Sequence, residues 1–353
     1  MMQIHIVIED NYKTSTWCTK IMEGLEKEIK YRKLHYVIQS TDFSSNAADL
    51  IVVIGTSSLW IKKTVCLLKE KHTAHIVMIS DQPCKMPVSN VSTDHYTAMK
   101  EILHYLSHCK KSSIAFYGVN PSSVSDSQRL SAFKDNGTVF YNHGNLKECF
   151  LNFYESINDF DAIICANDYA AVSLLQNLKS LSPEKADTLF IISFANTALA
   201  KLYKPTITTM SINYNEYGKA ALQLYSILSK NPGISHINIS IKSELKIRES
   251  TNNLPFKQNE FIYDYNHEEN INFYDDNEIR PLIILDKILS VCDEIDLDII
   301  QGIASLHSYE VIAERNLMSV NGVKYRLKKL LEICEITDRR TLVSIYNTYL
   351  KNQ

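Results

Sequence analysis

The sequence predicts an α/β fold with two parallel sheets flanked by helices, followed by an all-α domain at the C-terminus. Over about the first 250 residues, short apolar, β-branched runs alternate with amphipathic helical stretches, as in βαβ units. These runs are apolar on both faces, which is typical of strands that helices cover on both sides. After Pro281 only the helical period remains. The strand-like runs are residues 4–8, 50–54, 75–80, 113–117, 162–165 and 189–193.

Six such units exceed one small sheet, so we expect two lobes in the first 250 residues. A first exchange between lobes near residue 110 gives sheets of similar size, and a second is expected near residues 212–230. Ligands of open α/β sheets bind beyond the carboxyl ends of the strands. The residues that follow the predicted strands are therefore the candidate ligand contacts.

The composition is that of a globular protein without a global attraction for nucleic acid. A chain of 353 residues with 45% hydrophobic residues can fill two or three cores. Because the formal net charge is −3, any DNA affinity must come from a local patch. The eight cysteines lack zinc-ligand spacing, and no signal peptide or membrane span is recognisable. We expect a cytoplasmic protein without membrane association, metal or cofactor.

Residues 251–280 are predicted to be an acidic linker. Seven acidic residues against two basic ones favour a solvated, extended segment. Its cluster of His267, Glu268 and Glu269 lacks the fixed helical spacing of a metal site, so a charged linker is the better interpretation. Residues 281–353 then form a separate helical domain, with a helix-turn-helix at about residues 308–331.

Two stretches carry a resemblance to a known family: residues 161–178, DAIICANDYAAVSLLQNL, and residues 191–224, which begin IISFANTALAKLYKP. They resemble the ligand-sensing region of the lactose-repressor (LacI/GalR) family, which has a two-lobed periplasmic-binding-protein-like fold. Weaker matches in family order, SDSQRLSAFKDNG around Arg129 and ELKIRES at residues 244–250 among them, extend the resemblance over nearly all of residues 1–250. It implies a small-molecule effector, a sugar or related polar metabolite, between the lobes, and a homodimer.

The resemblance puts Arg129 at the position of the arginine that contacts the effector. Its forked donors suit sugar hydroxyls or carboxylates, whereas without the resemblance a surface arginine on an amphipathic helix would be the simpler interpretation. Asn167 and Asp168 follow a buried strand and are candidate polar contacts. Asp168 is equally suited to cap the helix that begins there.

The next strand-end loop departs from the family pattern. The family usually has an acid after the aromatic residue, but here Ala195 stands between Phe194 and Asn196. A missing carboxylate favours a different or more anionic ligand, or a degenerate pocket, and Asn196 supplies part of the lost polarity. In the first lobe, residues after strand ends are expected to face the same cleft, although each is also a common turn residue. They are Asn11, Tyr12, Gly55, Thr56, Ser57 and Asp81.

Residues 308–350 resemble the LuxR-type helix-turn-helix of many response regulators. The matching residues are Ile312 and Ala313 in the first helix, Ser319 as N-cap of the second, Val323 and Lys324 within it, and Arg339 before a final helix. Asn316 and Gly322 depart from the pattern: Asn316 replaces an apolar turn residue, and Gly322 costs about 1 kcal/mol of helix propensity. The resemblance implies double-stranded DNA as a partner.

The hydrophobic period of the second helix agrees with that implication. Val320, Val323, Leu327 and Leu330 repeat at three and four residues and must face the core, which leaves a polar, basic face outside. Such a face can read bases and bind phosphates in a major groove, or it is simply a solvated face of a dimerisation or docking module. The candidate DNA contacts are Ser319, Asn321, Lys324, Tyr325, Arg326, Lys328 and Lys329. The final helix carries an apolar stripe, for its own domain or a symmetry mate, of Leu342, Ile345, Tyr346 and Tyr349.

Three other classes of function fit the sequence less well. An enzyme is disfavoured because the usual nucleophile, zinc and phosphate-binding motifs are missing and the chain has only nine glycines. A response regulator is disfavoured because Gly55 and Thr56 stand where its aspartate would follow a strand. A sensor whose helical tail docks a signalling protein remains the alternative. Since the family carries its DNA-binding domain before the sensor, we expect lobe closure, not hinge folding, to control DNA binding here.

Overall fold

The computed structural model describes residues 2–41, 48–82, 87–256, 276–333, 335–336 and 338–350. It divides into two units, Met1–Gln258 and Asn259–Gln353. Most of the predicted acidic linker, residues 257–275, lies outside the described residues. At the start of that segment Thr251 is fully buried in the first unit, whereas residues 252–255 are exposed as predicted. At the C-terminal end of the same segment, a helix begins at Ile279 and includes Pro281. This is possible because a proline is tolerated in the first turn of a helix.

The first unit contains two six-stranded sheets, which confirms the predicted α/β fold class. All strand pairs of the first sheet are parallel, and in the second only the β10–β12 pair is antiparallel. The first sheet, in spatial order, is β11 (Asn238–Ile241), β5 (Ser89–Thr93), β4 (His75–Ile79), β3 (Leu50–Ile54), β1 (Gln3–Ile8) and β2 (His35–Gln39). The second is β12 (Ser243–Lys246), β10 (Thr208–Ile212), β9 (Phe190–Phe194), β8 (Ala162–Cys165), β6 (Ile114–Val119) and β7 (Gly137–Tyr141).

Helices cover both faces of each sheet, so the central strands are buried throughout. We call the first sheet with its helices lobe 1 and the second lobe 2. Lobe 1 has α1 (Thr16–Tyr31) and α9 (Tyr214–Leu228) on one face and α2 (Ser58–Lys71) on the other. In lobe 2 the helices are α3 (His95–His108), α4 (Val124–Phe133), α5 (Leu146–Tyr154), α6 (Asp168–Leu181), α7 (Pro183–Thr188) and α8 (Ala198–Leu202).

Over the described residues of the first unit, the chain passes between the lobes three times. It leaves lobe 1 at Asp94, returns at Asn213 and crosses again at Lys242 between β11 and β12. The first crossing lies before α3. The divide expected near residue 110 would place it after α3. The reason is that the apolar face of α3, with Met99 and Ile102, belongs to the core of lobe 2.

Two glycines bring α9 against α1. A side chain on Gly24 would lie 2.1 Å from the carbonyl oxygen of Asn215, and one on Gly218 would lie 2.2 Å from the backbone nitrogen of Leu25. The two helix backbones therefore pack in direct contact, which only glycine allows. This packing fixes the first turn of α9, which begins where the chain returns from lobe 2.

In the part of the second unit that the structure describes, five helices surround one core. They are α10 (Ile279–Val291), α11 (Glu294–Ala304), α12 (Tyr309–Arg315), α13 (Val320–Ile333) and α14 (Arg339–Tyr349). The apolar stripe of α14 packs on its own domain, where Leu342 and Ile345 are buried. None of the helices that the structure describes is long and apolar enough to cross a membrane.

Candidate functional site

Arg129, on α4, lies buried at the carboxyl ends of the lobe 2 strands, with only 6% of its surface exposed. Its guanidinium carbon sits 3.9 Å from the centre of the Phe194 ring. Nη1 donates to Asp126 Oδ1 at 2.9 Å and to the carbonyl oxygen of Ala166 at 3.0 Å, and Nη2 lies 3.1 Å from His95 Nδ1. The arginine is thus held by an ion pair, a carbonyl, an imidazole and an aromatic face, and is not a surface arginine.

His95, the first residue of α3, connects this arginine to lobe 1. A guanidinium has only donors, so His95 Nδ1 must accept from Arg129, and the ring proton therefore resides on Nε2. Nε2 lies 2.8 Å from Asp81 Oδ2 and donates to it. Burial, and then the neighbouring charge of Arg129, lower the pKa of His95 below its ordinary value. The neutral imidazole is the form that satisfies both partners.

Asp81, which follows β4 in lobe 1, receives donors from both lobes. Its carboxylate accepts from Thr93 N at 3.0 Å in addition to His95, and its carbonyl oxygen accepts from Gln128 Nε2 at 3.0 Å. Burial alone would raise the pKa of Asp81, but the hydrogen bonds from His95 and Thr93, together with the charge of Arg129, outweigh it and lower that pKa. Asp81 therefore bridges the lobes through its side chain and through its backbone.

The first turn of α9 lines the same region with two tyrosines that sequence reasoning missed. Their ring centres are 5.6 Å apart, and the Tyr217 hydroxyl bonds to Thr93 Oγ1. Burial, and then the charge of Asp81, raise the pKa of both Tyr214 and Tyr217 above the usual range. The two phenols therefore stay protonated as donors. Two tyrosines three residues apart, directly after a strand, were the available signal.

Asn167, and not Asp168, caps the helix that begins after β8. Asn167 is the N-cap of α6, because its Oδ1 accepts from Ala170 N at 2.9 Å. Asp168 is fully buried and accepts from Ser193 Oγ at 2.5 Å, Thr209 Oγ1 at 2.8 Å and Thr197 N at 2.6 Å. The expectation that Asp168 caps the helix is therefore wrong. Its carboxylate ties the start of α6 to β9, β10 and the N-cap of α8 inside lobe 2.

The loop after β9 holds its polar residue through a second, unforeseen arginine. Ala195 and Asn196 both have positive φ, 109° and 53°. The Asn196 amide donates to Ser211 Oγ at 2.9 Å and accepts from Arg248 Nη2 at 2.5 Å. Both ends of the amide are thus engaged within lobe 2. Arg248 belongs to the ELKIRES segment, which provided a resemblance but no role for this residue.

The remaining lobe 1 candidates gather around Glu9 and not around Arg129. Glu9 is buried at the end of β1 and accepts from Thr56 N at 2.9 Å, from Ser57 N at 3.1 Å and from the Ser57 hydroxyl. A carboxylate is stable there because the start of α2 offers free backbone donors. The Tyr12 ring packs at a tilt with its centre 5.7 Å from that of Trp17, and Asn11 is exposed. The structure thus unites only Arg129, Phe194 and Asp81 of the predicted ligand residues.

In the helical unit, α12 and α13 are joined by the turn at residues 316–319. Ser319 accepts from Gly322 N at 3.1 Å, at the start of α13. Val323, Leu327 and Leu330 are buried, as their spacing predicts. The candidate DNA contacts that are exposed are Ser319, Asn321, Lys324, Tyr325, Lys328 and Lys329.

Arg326 differs from the other candidates on α13. Its Nη1 lies 2.8 Å from carboxylate oxygens of both Asp293 and Asp296, at the start of α11. The hydrogen bonds that Arg326 donates to Asp296 and Asp293 raise its pKa. Arg326 is predicted as a DNA contact, but its side chain is paired with the start of α11.

The comparisons with known proteins concern the first unit. Residues 105–251 match the family model described as periplasmic binding protein-like domain. Catabolite control protein A of Staphylococcus xylosus is 22% identical over 268 residues, covering 67% of this chain and 78% of that protein. The transcriptional regulator GalR of Lacticaseibacillus casei is 23% identical over 198 residues, covering 50% of this chain and 59% of that protein.

Solved structures show the same two-lobed fold. A LacI family regulator from Enterococcus faecium with bound ribose has a TM-score of 0.56 at 16% identity and covers 72% of this chain and all of that one. The regulator CelR in complex with cellobiose has a TM-score of 0.57 at 14% identity, covering 70% of this chain and 84% of that one. The first unit therefore has a periplasmic-binding-protein-like fold similar to the sensor domains of LacI-family transcription regulators.

Proposed function

We propose that the protein is a ligand-responsive transcription regulator. A small molecule bound between the lobes modulates DNA binding by a LuxR-type helix-turn-helix in the helical unit, and the active form is a homodimer. The observation that carries the proposal is the exposed face of α13, where Lys324 and Lys328 flank Asn321 and Tyr325 in a chain whose other unit has a sensor fold. Amide and phenol groups can reach base edges while the ammonium groups bind phosphates.

The charge balance of the cleft favours a neutral polar effector such as a sugar. Arg129 is already paired with Asp126, and the remaining carboxylate, Asp81, accepts from a neutral His95. No net positive charge among these groups awaits an anion, so the missing acid at Ala195 does not by itself select an anionic ligand. Arg129 Nε, the two tyrosines of α9 and Gln128 offer donors and acceptors for hydroxyl groups. Solved relatives of this fold hold ribose, cellobiose, glucose and sucrose.

Helix α3 gives the cleft a physical connection to the point where the chain leaves the first unit. Its first residue, His95, bonds to Arg129 and Asp81. About 15 Å further along the helix, the Tyr105 hydroxyl bonds to Thr251 Oγ1 at 2.8 Å, and the Tyr105 ring packs 5.4 Å from that of Phe256. A ligand that moves the start of α3 thereby moves the segment that leads to the helical unit.

Binding of the full chain to DNA fragments from upstream of its own gene tests the proposal. We expect salt-sensitive, sequence-specific binding whose affinity changes when a sugar effector is added. Reversing two charges in K324E/K328E should abolish specific binding. The matched control K62E/K63E reverses two exposed charges on α2 and should leave binding unchanged.

A sensor that docks a signalling protein is the alternative. Leu306 and Leu317 of the helical unit are 91% and 95% exposed and are available for contact with a partner protein. If the folded full chain binds no DNA with or without candidate effectors, and K324E/K328E behaves like the control, docking replaces DNA binding as the proposal.

A further inference from the structure

The charges of the helical unit are segregated along the chain. Residues 276–315, which form α10 to α12, contain nine acidic and three basic residues. Residues 316–350, which form α13 and α14, contain six basic and three acidic residues. Two of those six are adjacent at the start of α14, Arg339 and Arg340, and both are exposed. A polyanion is therefore attracted to α13 and α14 and repelled by the rest of the unit.

Tyr309 joins the start of α14 to the exposed face of α13. Lys324 Nζ lies 5.8 Å from the centre of the Tyr309 ring, and the guanidinium carbon of Arg339 lies at the same distance. Arg339 Nη1 also donates to the Tyr309 hydroxyl at 2.9 Å. The two cations from different helices are thus held beside one aromatic ring, in continuity with the predicted DNA face.

The acids next to these cations are partly engaged elsewhere. Asp338 is the N-cap of α14 and accepts from Arg340 N at 2.7 Å and from Thr341 N at 3.0 Å. Glu310 bonds to its own backbone and to Ser308, and these bonds, with a smaller effect of Lys324, lower its pKa. Asp338 thus serves the helix terminus, and the guanidinium groups remain exposed beside it.

A concave surface accompanies the cations. A groove of about 660 Å³ runs between the start of α12 and the start of α14, with Arg339 and Arg340 among its lining residues and Ile303 and Val343 among its apolar ones. A DNA backbone strand is convex and presents phosphates with apolar sugar edges between them. The groove and its cations complement such a strand in shape and charge.

We propose that Arg339 and Arg340 form a second phosphate-contacting surface. It holds the DNA backbone next to the bases that α13 contacts in the major groove, and Tyr309 is the positioning residue for Arg339. The inference rests on the proposed function and adds a contact surface to it. Phosphate contacts fix register and affinity without reading sequence. The surface therefore contributes equally to specific and non-specific binding.

The test compares the full chain with R339Q/R340Q on cognate and scrambled duplexes across a salt series. Losing two phosphate contacts should reduce the slope of log affinity against log salt by roughly 2, so that the affinity loss at 50 mM salt exceeds the loss at 200 mM by about tenfold. The ratio of cognate to scrambled affinity should stay constant. K287Q removes one exposed cation on α10 and should leave the slope unchanged. Calorimetry establishes that each variant is folded.

Tyr309→Phe separates positioning from direct contact. We expect Y309F to reduce the salt slope by less than R339Q does. Adding Y309F to R339Q should cause no further change in that slope. If the parent chain binds DNA and R339Q/R340Q binds with the same slope, the inference is wrong and the groove is free for a protein partner. A changed specificity ratio would also contradict it. If the parent chain itself binds no DNA, both the proposed function and this inference are wrong. That outcome differs from the failure of the inference alone, in which the parent chain binds DNA.

Discussion

Replacing Asp168 by asparagine should destabilise the first unit without a direct effect on ligand contacts. The carboxylate is fully buried and accepts three hydrogen bonds, from Ser193, Thr197 and Thr209. The amide oxygen of asparagine can keep the two hydroxyl donors, but its NH2 group then faces the backbone N–H of Thr197. One charge-assisted bond, worth about 1.5–3 kcal/mol, is lost and a buried donor is left without a partner. We expect the free energy of unfolding to fall by about 2–4 kcal/mol, a large part of the 5–15 kcal/mol of a typical domain.

Tryptophan fluorescence during guanidinium unfolding measures this change in the full chain. Both tryptophans of the chain, Trp17 and Trp60, lie in the first unit, so their signal does not report on the helical unit. Asp187→Asn is the control, because that carboxylate is exposed on α7. A D168N variant as stable as the control, but unable to bind effector, would refute the structural role and restore Asp168 to the ligand site.

Three further outcomes follow from the contacts of the cleft and of α13. Because the pKa of His95 is lowered in the folded state, the unfolded state takes up its proton at a higher pH than the folded state does. Stability should therefore fall as the pH drops below about 6.5, by at most about 1.4 kcal/mol per pH unit, and calorimetry should show a weaker dependence in His95→Gln. Phe256→Ala should leave effector affinity intact while the effector no longer changes DNA affinity, as measured by titration and gel shift. Arg326→Gln should lower the unfolding temperature of the helical unit by roughly 2–4 °C without changing the salt slope, whereas Lys324→Gln should reduce that slope by about 0.9.

The strands that sequence analysis found are those whose burial is complete on both faces. Residues 50–54 and 162–165 are apolar throughout and became β3 and β8. The missed strands carry no such signal: β2 is largely exposed, and β5 reads Ser-Asn-Val-Ser-Thr although most of it is buried. Polar side chains of β5 are satisfied by tertiary partners, as when Asn90 Nδ2 donates to the Ser80 carbonyl at 2.9 Å. A search for alternating apolar and polar residues cannot detect a strand whose polar side chains are paired in this way.

The sequence predicted those site residues that directly follow a strand. It did not predict the residues that reach the site because the chain crosses from one lobe to the other just before them. Phe194 and Asp81 stand at strand ends, and both reach the Arg129 network. His95 and Tyr214 reach it because each begins a helix just after the chain changes lobes. Placing the first crossing near residue 110 put α3 in the wrong lobe, so its first residue could not be recognised as part of the cleft. The polar partners of Arg326 were equally hidden, because Asp293 and Asp296 are distant in sequence.

The bonding of Arg129 also constrains how an effector can act. Among the described residues its Nε has no hydrogen-bond partner, while Nη2 is bonded to His95. An acceptor that bonds to Nε leaves His95 on both Arg129 and Asp81. If the same ligand also contacts lobe 1, it adds to the bridge between the lobes and favours their closure. An acceptor that replaces His95 at Nη2 releases the imidazole and, with it, the constraint on the start of α3. A ligand shifts a conformational equilibrium only by its difference in affinity for the two states. Whether the effector bonds to Nε or to Nη2 therefore decides whether α3 is held more tightly or released. This helix in turn contacts the segment by which the chain leaves the first unit.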